Sequence, residues 1–162
     1  ATANEVNENA ANGTVVGITA SASDADATTN GVTYSLTDSA GGRFTINAST
    51  GVVTVANSSL LNREASPSHN ITVRATSADG STNDTSFTIN ITDVDEFDVS
   101  APVDTNAAAN AVNENAAIGT TVGITASASD ADATTNTVTY SLFNNDGGNF
   151  TIDANTGVVT TA

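Results

Sequence analysis

The chain contains no cysteine, lysine, tryptophan or methionine among its 162 residues, and aromatic residues make up only 4% of it. Without cysteine, disulfide bonds and thiolate metal sites are excluded. With so few aromatic rings, a core must be built mainly from Val, Ile and Ala, within a hydrophobic content of 38%. A low hydrophobic content combined with a high net charge is close to the composition of disordered chains. We therefore expect the fold to depend on an added stabiliser.

Positive charge is also scarce, because three arginines face eighteen acidic residues and give a formal net charge of −15. Nucleic acids and anionic membrane surfaces are bound through basic patches, so both are excluded as partners. No stretch approaches the length of apolar sequence that a spanning helix needs, which predicts no membrane insertion. The first ten residues have no basic segment followed by an apolar one, so we expect no signal peptide there. Cations are the natural partners of such a chain.

A tandem repeat organises the sequence. The motif Val6-Asn7-Glu8-Asn9 recurs as Val112-Asn113-Glu114-Asn115, and the later motifs of the first copy recur at the same offset of 106 residues. About three-quarters of the aligned positions are identical, without insertion or deletion, which is typical of modules in an array. We therefore predict a complete domain over 1–98, a second domain over 99–162 that lacks its last two strands, and a junction over 93–104.

Within one copy the hydrophobic pattern indicates β-strands throughout. Apolar residues alternate in short β-branched runs such as Val32, Tyr34 and Leu36, and Gly, Asn, Asp or Ser residues bound each run. No stretch has the period of a helix. About seven strands in about 100 residues predict an all-β fold, an immunoglobulin-like, Greek-key antiparallel sandwich of two sheets, repeated in tandem.

Acidic residues gather in loops between these runs, most densely at Asp93-Val94-Asp95-Glu96. Carboxylates packed this closely repel each other unless a cation neutralises them, and Ca²⁺ takes about six to eight oxygen ligands. No cluster alone supplies enough oxygens, and the spacing of an EF-hand loop is absent. We therefore predict a calcium site assembled where distant loops meet at one end of a sandwich. The candidate clusters are Glu8, Asn62 with Glu64, the Asp93–Glu96 run, and Asp130 and Asp132 with Asn136.

The order of these motifs resembles the cadherin repeat. The chain reads VNEN, GTVV, ASDAD, VTYSL, FTIN, TGVV, LNRE, VRATS and DVDE, against the family's V-x-E-N, G-T-x-V, A-x-D-x-D, V-x-Y-S-L, F-x-I-D, T-G-x-I/V, L-D-R-E, V-x-A-x-D and D-x-N-D. The match covers the first copy and all that is present of the second. The Ala-, Thr- and Asn-rich composition of the repeats is similar to that of the cadherin-like extender domains of very large bacterial surface adhesins of the RTX type.

The resemblance implies a role for each motif. It implies that Ca²⁺ is held at the far end of the first domain by Glu8 and Glu64, and that Glu96 bridges ions from the linker. Asp95 and the carbonyls of Val94 and Phe97 face the second domain. The remaining implied ligands are Asp93 in the linker, Asp130, Asp132 and the Asn136 carbonyl in the second domain, Asp24, Asp26 and Asn30 toward a preceding domain, and Glu114 toward a following one.

Four positions depart from the family's pattern. Asn62, Ser77 and Phe97 stand where it has Asp, Asp and Asn, and Glu96 stands where it has Asp. The number of ions per junction therefore stays open between two and three.

These observations predict a calcium-binding extender of a cell-surface adhesin and no enzyme, since no nucleophile–base motif or phosphate-binding loop is present. Its expected partners are neighbouring repeats of the same polypeptide through Ca²⁺, with a receptor or glycan bound elsewhere in the full protein, and its expected place is extracellular. A carbohydrate- or protein-binding adhesion module is the alternative. The single histidine, His69, lies in a Ser- and Pro-containing loop pattern and is expected to be exposed.

Overall fold

The computed structural model describes residues 4–162, and the chain divides into two compact units, Ala1–Val94 and Asp95–Ala162. Each described element is a β-strand except for one 3₁₀ turn, Ser58–Leu60. The predicted all-β class is therefore confirmed. Within residues 4–162 there is no helix with the length and apolar character that crossing a membrane requires.

The first unit is a sandwich of two sheets. One sheet has the strand order β1-β7-β6-β3 and the other has the order β2-β5-β4. The seven strands are β1 (Glu5–Asn7), β2 (Val15–Thr19), β3 (Val32–Asp38), β4 (Phe44–Ile46), β5 (Val52–Val55), β6 (Ser68–Ser77) and β7 (Thr82–Thr92).

The core of the first unit forms because alternate side chains of each strand point inward. Val16 and Val53 come from the smaller sheet, and Ile71 and Ile89 come from the larger one; all four are fully buried. They belong to one continuous cluster. Burial of an aliphatic side chain of this size contributes about 1.5–3 kcal/mol, so a core without large aromatic content still holds two sheets together.

Strand β1 is the exception to antiparallel pairing, since it lies parallel to β7 with Val6 opposite Ile91. The two strands are the first and last of the unit, so no tight hairpin fixes their relative direction. Strands β6 and β7 form a hairpin with nine paired positions, from Ser68 opposite Asn90 to Thr76 opposite Thr82.

A tight turn before β5 occurs in both copies with the same geometry. Gly51 has φ +69°, and the Asn47 side chain accepts hydrogen bonds from the two backbone N–H groups that precede it. A Cβ at Gly51 would lie 2.3 Å from the Ala20 carbonyl oxygen. Gly157 repeats this arrangement with φ +68° and 2.1 Å to the Ala126 carbonyl oxygen. Glycine is required here by backbone conformation and by space.

The second unit has one described sheet of four strands in the order β10-β11-β9-β8. Its residues 138–142, which repeat the sequence of β3, form no strand. The strands are β8 (Val103–Asp104), β9 (Thr121–Ser127), β10 (Phe150–Ile152) and β11 (Val158–Thr161).

His69 does not lie in an exposed loop, so that prediction was wrong. It is the second residue of β6, its ring lies 6.4 Å from that of Phe44, and its Nε2 is buried without a hydrogen-bond partner among the described residues. Burial, followed by the positive charge of Arg43, lowers the pKa of His69 below its usual value. The sequence pattern of a loop was misleading because Pro67 directly precedes Ser68, the first residue of β6.

Candidate metal-binding clusters

Three carboxylates meet at one end of the first unit. Glu8 follows β1, Glu64 follows the 3₁₀ turn, and Asp93 follows β7, and one oxygen of each lies within 4.8 Å of the others. Ca²⁺ binds oxygen at about 2.3–2.6 Å, so two ligands on opposite sides of one ion are about 5 Å apart. The spacing and the all-oxygen donor set therefore fit calcium.

Glu8 is the organising residue of this cluster and is only 1% exposed. Its Oε2 accepts a hydrogen bond from the Arg63 backbone N–H at 2.6 Å, and its Oε1 accepts one from the Val94 backbone N–H at 2.9 Å. These bonds attach the loop that carries Glu64 and the segment that follows β7 to the end of β1. Each carboxylate oxygen has a second lone pair, so both oxygens can still bind a cation.

Asn62 shapes the loop that presents Glu64. Its Oδ1 accepts a hydrogen bond from the Ala65 backbone N–H at 2.5 Å, and its carbonyl accepts one from the Ser66 N–H at 3.1 Å. The side chain therefore closes a local turn.

The motif Asp24-Ala25-Asp26 of the first unit contributes to a second cluster of carboxylates. Asp24 and Asp26 have carboxylate oxygens within 4.8 Å of one another and of Asp79. Asp24 also accepts a hydrogen bond from the Ser77 hydroxyl and from the Asp26 backbone N–H. Asp79 was not among the predicted ligands, because only Ser77 aligns with the acidic position of the family's motif. An acid two residues farther along, in Ser77-Ala78-Asp79, was the available signal.

The second unit holds its acids near Asp132, which is 1% exposed. Its Oδ1 accepts a hydrogen bond from the Glu96 backbone N–H at 3.2 Å, and its own N–H donates to Asp130 Oδ1 at 3.1 Å. A side-chain hydrogen bond with Asp132, followed by the negative charge of Asp132, raises the pKa of Asp95 above its ordinary value. The charged form of Asp95 is therefore disfavoured beside the Asp132 carboxylate.

The other predicted ligands lie at the surface. Val94 is half-buried and donates its N–H to Glu8. Asn30, Phe97, Glu114 and Asn136 are exposed.

Two of the three arginines are engaged elsewhere. Arg43 donates to the carbonyls of Leu60 and Ala40 at 2.9 and 2.8 Å. Arg74 forms a two-bond ion pair with Asp84 on the exposed face of the β6–β7 hairpin. Their positive charge is therefore directed at other groups than the acid clusters.

Comparison with known proteins now identifies the module. The family model described as cadherin domain matches residues 3–92 and 109–162. The chain belongs to the cadherin family. Cadherin domains are adhesion modules, and the family is not one of enzymes.

Individual cadherins agree with this assignment. Human protocadherin Fat 4 is 40% identical over 151 residues, which cover 88% of this chain and 3% of that protein. Mouse protocadherin Fat 4 has the same identity and coverage. The chain thus spans about 3% of the length of these curated relatives.

Solved cadherin structures share the fold. Repeats EC22-24 of mouse cadherin-23 match with a TM-score of 0.75 and 32% identity, covering 97% of this chain and 50% of that one. The extracellular cadherin domains 3-6 of protocadherin gamma B2 match with a TM-score of 0.78 and 23% identity, covering 98% of this chain and 40% of that one. The predicted cadherin-like sandwich is confirmed.

Proposed function

We propose that this chain is a calcium-binding structural extender of a cell-surface adhesin. The observation that carries the proposal is the meeting of Glu8, Glu64 and Asp93 with their oxygens within 4.8 Å. Three carboxylates at this spacing repel each other strongly when Glu8 is held almost out of solvent. A divalent cation converts that repulsion into attraction.

The proposed site continues into the second unit. Asp93 belongs to the first unit and Asp95 to the second, with Val94 alone between them in the sequence. Asp93, Asp95 and Glu96 are thus within four residues of one another in the sequence. We propose that Ca²⁺ bound by both sets restricts the angle between the two units. Asp130, the Asn136 carbonyl and the carbonyls of Val94 and Phe97 are the further proposed ligands.

The remaining acidic motifs are proposed to serve other repeats. Asp24, Asp26 and Asn30, with Asp79 added by the structure, would bind Ca²⁺ together with a preceding repeat. Glu114 would do so with a following one. Asn62 is proposed to hold the Glu64 loop in place, by the turn that it closes.

When bound, Ca²⁺ supplies positive charge and a fixed coordination shell, and its effect is mechanical. Extracellular modules bind Ca²⁺ with dissociation constants of about 10⁻⁴–10⁻³ M. We therefore propose that the repeats are extracellular, where calcium is abundant, and act as a rod between a cell and a binding tip. The likeness to bacterial RTX adhesins stays a prediction, since the relatives described above are animal cadherins. A receptor or glycan site elsewhere in the full protein stays a prediction as well.

Calcium titration by calorimetry on the 162-residue chain tests this proposal. The matched pair Glu8→Gln and Glu114→Gln makes the test specific, because both residues stand in the same Val-Asn-Glu-Asn motif and only Glu8 is buried in a cluster. We expect Glu8→Gln to lower the calcium affinity at least tenfold, about 1.4 kcal/mol. Glu114→Gln should leave the isotherm unchanged, because Glu114 is exposed and joins no carboxylate cluster of the described residues, its proposed co-ligands being those of another repeat.

Because Glu8 also accepts two backbone hydrogen bonds, its substitution weakens the fold as well as the site. Glu64→Gln provides a second variant, since Glu64 is exposed and its side chain makes no hydrogen bond within residues 4–162, unlike that of Glu8. It should lower calcium affinity without lowering the melting temperature in chelator. The proposal is wrong if the wild-type chain gives no calcium heat, or if chelator leaves its melting curve unchanged.

A further inference from the structure

The chain contains two Asn-Gly pairs, Asn12-Gly13 and Asn30-Gly31. In such a pair the deprotonated backbone nitrogen of the glycine can attack the side-chain amide carbon of the asparagine. A new C–N bond closes a succinimide ring, the bond to the amide nitrogen breaks, and that nitrogen leaves as ammonia. Water then opens the ring at either carbonyl, which gives aspartate or isoaspartate. Glycine favours the attack because it has no Cβ to obstruct the approach.

The fold holds both reacting groups of the first pair. The Asn12 side-chain oxygen accepts a hydrogen bond from the Ser58 backbone N–H at 2.7 Å, and the Gly13 N–H donates to the Val55 carbonyl at 2.8 Å. The side-chain amide and the backbone nitrogen are thus each engaged with another partner. Ring closure requires that these bonds break first.

The second pair lies outside every strand. Asn30 and Gly31 are exposed and directly precede β3. Neither the Asn30 side chain nor the Gly31 N–H makes a hydrogen bond to any residue within 4–162. No bond of the described fold therefore has to break before these two groups meet, and water reaches the ring that they form.

The second copy has the same motif without the glycine. The sequence Ala-Thr-Thr-Asn at 27–30 recurs at 133–136, but Thr137 stands where the first copy has Gly31. Asn136 and Thr137 are exposed, as Asn30 and Gly31 are. Because the branched Cβ of threonine crowds its own backbone nitrogen, Asn136 is a natural control for the effect of the glycine.

We propose that Asn30 is a site of spontaneous deamidation and that the fold protects Asn12 from the same reaction. The reactants are the two groups of the Asn30-Gly31 pair and water, so no enzyme or cofactor is needed. Calcium is not needed either, and the reaction is tested in chelator.

The surroundings of Asn30 give the modification a structural consequence. The Thr29 carbonyl accepts a hydrogen bond from the Ser77 hydroxyl at 3.0 Å, and the Gly31 carbonyl accepts one from the Ala78 N–H at 2.8 Å. The backbone on each side of Asn30 is thus attached to the loop that continues into Asp79. Either product adds a carboxylate to this attached segment, and isoaspartate also lengthens its backbone by a methylene group.

Hydroxylamine is the probe, because it attacks the succinimide and releases the glycine amine, which cuts the chain after the reacting asparagine. The folded chain is incubated with it in chelator at mildly alkaline pH. Fragments 1–30 and 31–162 should appear at least about tenfold faster than fragments 1–12 and 13–162, since the second cut requires two hydrogen bonds to open. Equal rates in the folded chain, or no cut after Asn30, would overturn the proposal.

Urea separates the effect of the fold from the reactivity of the pair itself. In the unfolded chain the two Asn-Gly pairs should be cut at equal rates. If the cut after Asn12 stays slower in urea by the same factor, neighbouring residues protect it and the proposed role of the fold is wrong.

Gly31→Thr gives the first copy the sequence of the second and should abolish the cut after Asn30. The φ of Gly31 lies outside the left-handed region, and an added Cβ would meet no atom closer than the Ala78 Cβ at 4.0 Å, so the variant should keep the wild-type melting temperature. The reciprocal Thr137→Gly should create a cut after Asn136. An undiminished cut in Gly31→Thr would overturn the proposal.

Mass spectrometry without hydroxylamine reads the modification itself. Cleavage after Arg43 gives a peptide that contains both Asn-Gly pairs, and its fragmentation assigns the replacement of the amide –NH₂ by –OH to one asparagine. We expect this mass gain at Asn30 in the wild type and at neither asparagine in Gly31→Thr. A mass gain at Asn12 that equals the gain at Asn30 in the folded chain would contradict the proposal.

Discussion

The same five residues, Val-Thr-Tyr-Ser-Leu, have different structures in the two units. At 32–36 they lie in β3, which pairs with β6, whereas at 138–142 they form no strand. Local sequence is identical in the two copies, so propensity does not explain the difference. A strand exists where a neighbouring strand binds its backbone, and the second unit has no described neighbour at that edge.

The Val-Asn-Glu-Asn motif also differs between the two units, although its sequence is the same in both. Val6 pairs with Ile91 of β7, and the next residue but one, Glu8, is carried into a buried cluster. Val112 and Glu114 have the same sequence context but are exposed and outside any strand. The burial of the candidate ligand is therefore produced by the last strand of its own unit.

The largest expected effect distinguishes the two cores. Phe44 is 2% exposed in the core of the first unit, and its counterpart Phe150 is half-buried. Phe44→Ala should destabilise the first unit by about 3–5 kcal/mol, as expected for a fully buried Phe. Phe150→Ala should lower the stability of the second unit by less than half as much. Urea unfolding followed by resolved amide signals of each unit measures both losses, and equal losses would show that the second core is as closed as the first.

A second comparison concerns a place where the units are the same. Gly51→Ala and Gly157→Ala should destabilise their units equally, because both combine a positive φ with a carbonyl oxygen where the Cβ would lie. The strained backbone and the overpacking together cost about 3 kcal/mol.

Gly13→Ala is the matched control for this pair. Gly13 has φ +90° with no atom within 4 Å of the added Cβ, so only the backbone contribution of about 1 kcal/mol remains. If all three variants lose the same stability, the close contact with the carbonyl oxygen is unimportant.

The sequence predicted the elements that depend on local pattern. Alternation around Ile71 and Ile89, turn residues such as Gly51, and the all-β class follow from period and turn chemistry, and the structure confirms them. It did not predict the parallel pairing of β1, because strand direction depends on where the other end of the unit returns. It also predicted an exposed loop at His69, which lies half-buried in β6, because Ser and Pro around it have the composition of a loop.

The candidate site was predicted in part. The motifs predicted Glu8 and Glu64 at the far end of the first domain and Asp93 in the linker, and the structure brings the three carboxylates together. Asp79 was missed because it stands two residues beyond Ser77, the position at which the family's motif has its acid. The sequence also did not predict that the Asn62 side chain closes a local turn, since an amide oxygen can either bind a metal ion or accept a hydrogen bond within a turn.

The third expected effect concerns Asp132→Asn, which should stabilise the second unit in chelator but weaken its binding of calcium. Without metal, the raised pKa of Asp95 shows that its charged form is disfavoured beside Asp132. The contribution of Asp95 to stability is then fully present below its ordinary pKa of 3.8 and is lost as pH rises through the raised value. At pH 7 in chelator, Asp132→Asn should therefore raise the melting temperature of the second unit.

Asp132→Asn should also lower the affinity for Ca²⁺ at least tenfold, which corresponds to a loss of about 1.4 kcal/mol of binding free energy. Glu114→Gln also removes one negative charge and serves as the control, since it should change neither value. A variant that loses stability in chelator as well would mean that the hydrogen bonds of Asp132 outweigh its repulsion with Asp95.

The smallest expected effect belongs to His69, the single histidine of the 162-residue sequence. Its pKa is lowered from 6.5, mainly by burial and then by Arg43, so the folded chain binds its proton less readily than the unfolded chain does. Its contribution to stability is fully present above pH 6.5 and is lost as pH falls through the lowered value. Between pH 7.5 and pH 5 the first unit should therefore lose stability.

His69→Phe keeps an aromatic ring beside Phe44 and removes the titrating nitrogen, so the variant should lose less stability over the same pH range. Unfolding of the first unit in urea at both pH values measures the difference, and chelator keeps calcium from contributing its own pH dependence. An equal loss in the variant would place the acid sensitivity of the first unit in its carboxylates. The second unit, which contains no histidine, reports how much those groups contribute by themselves.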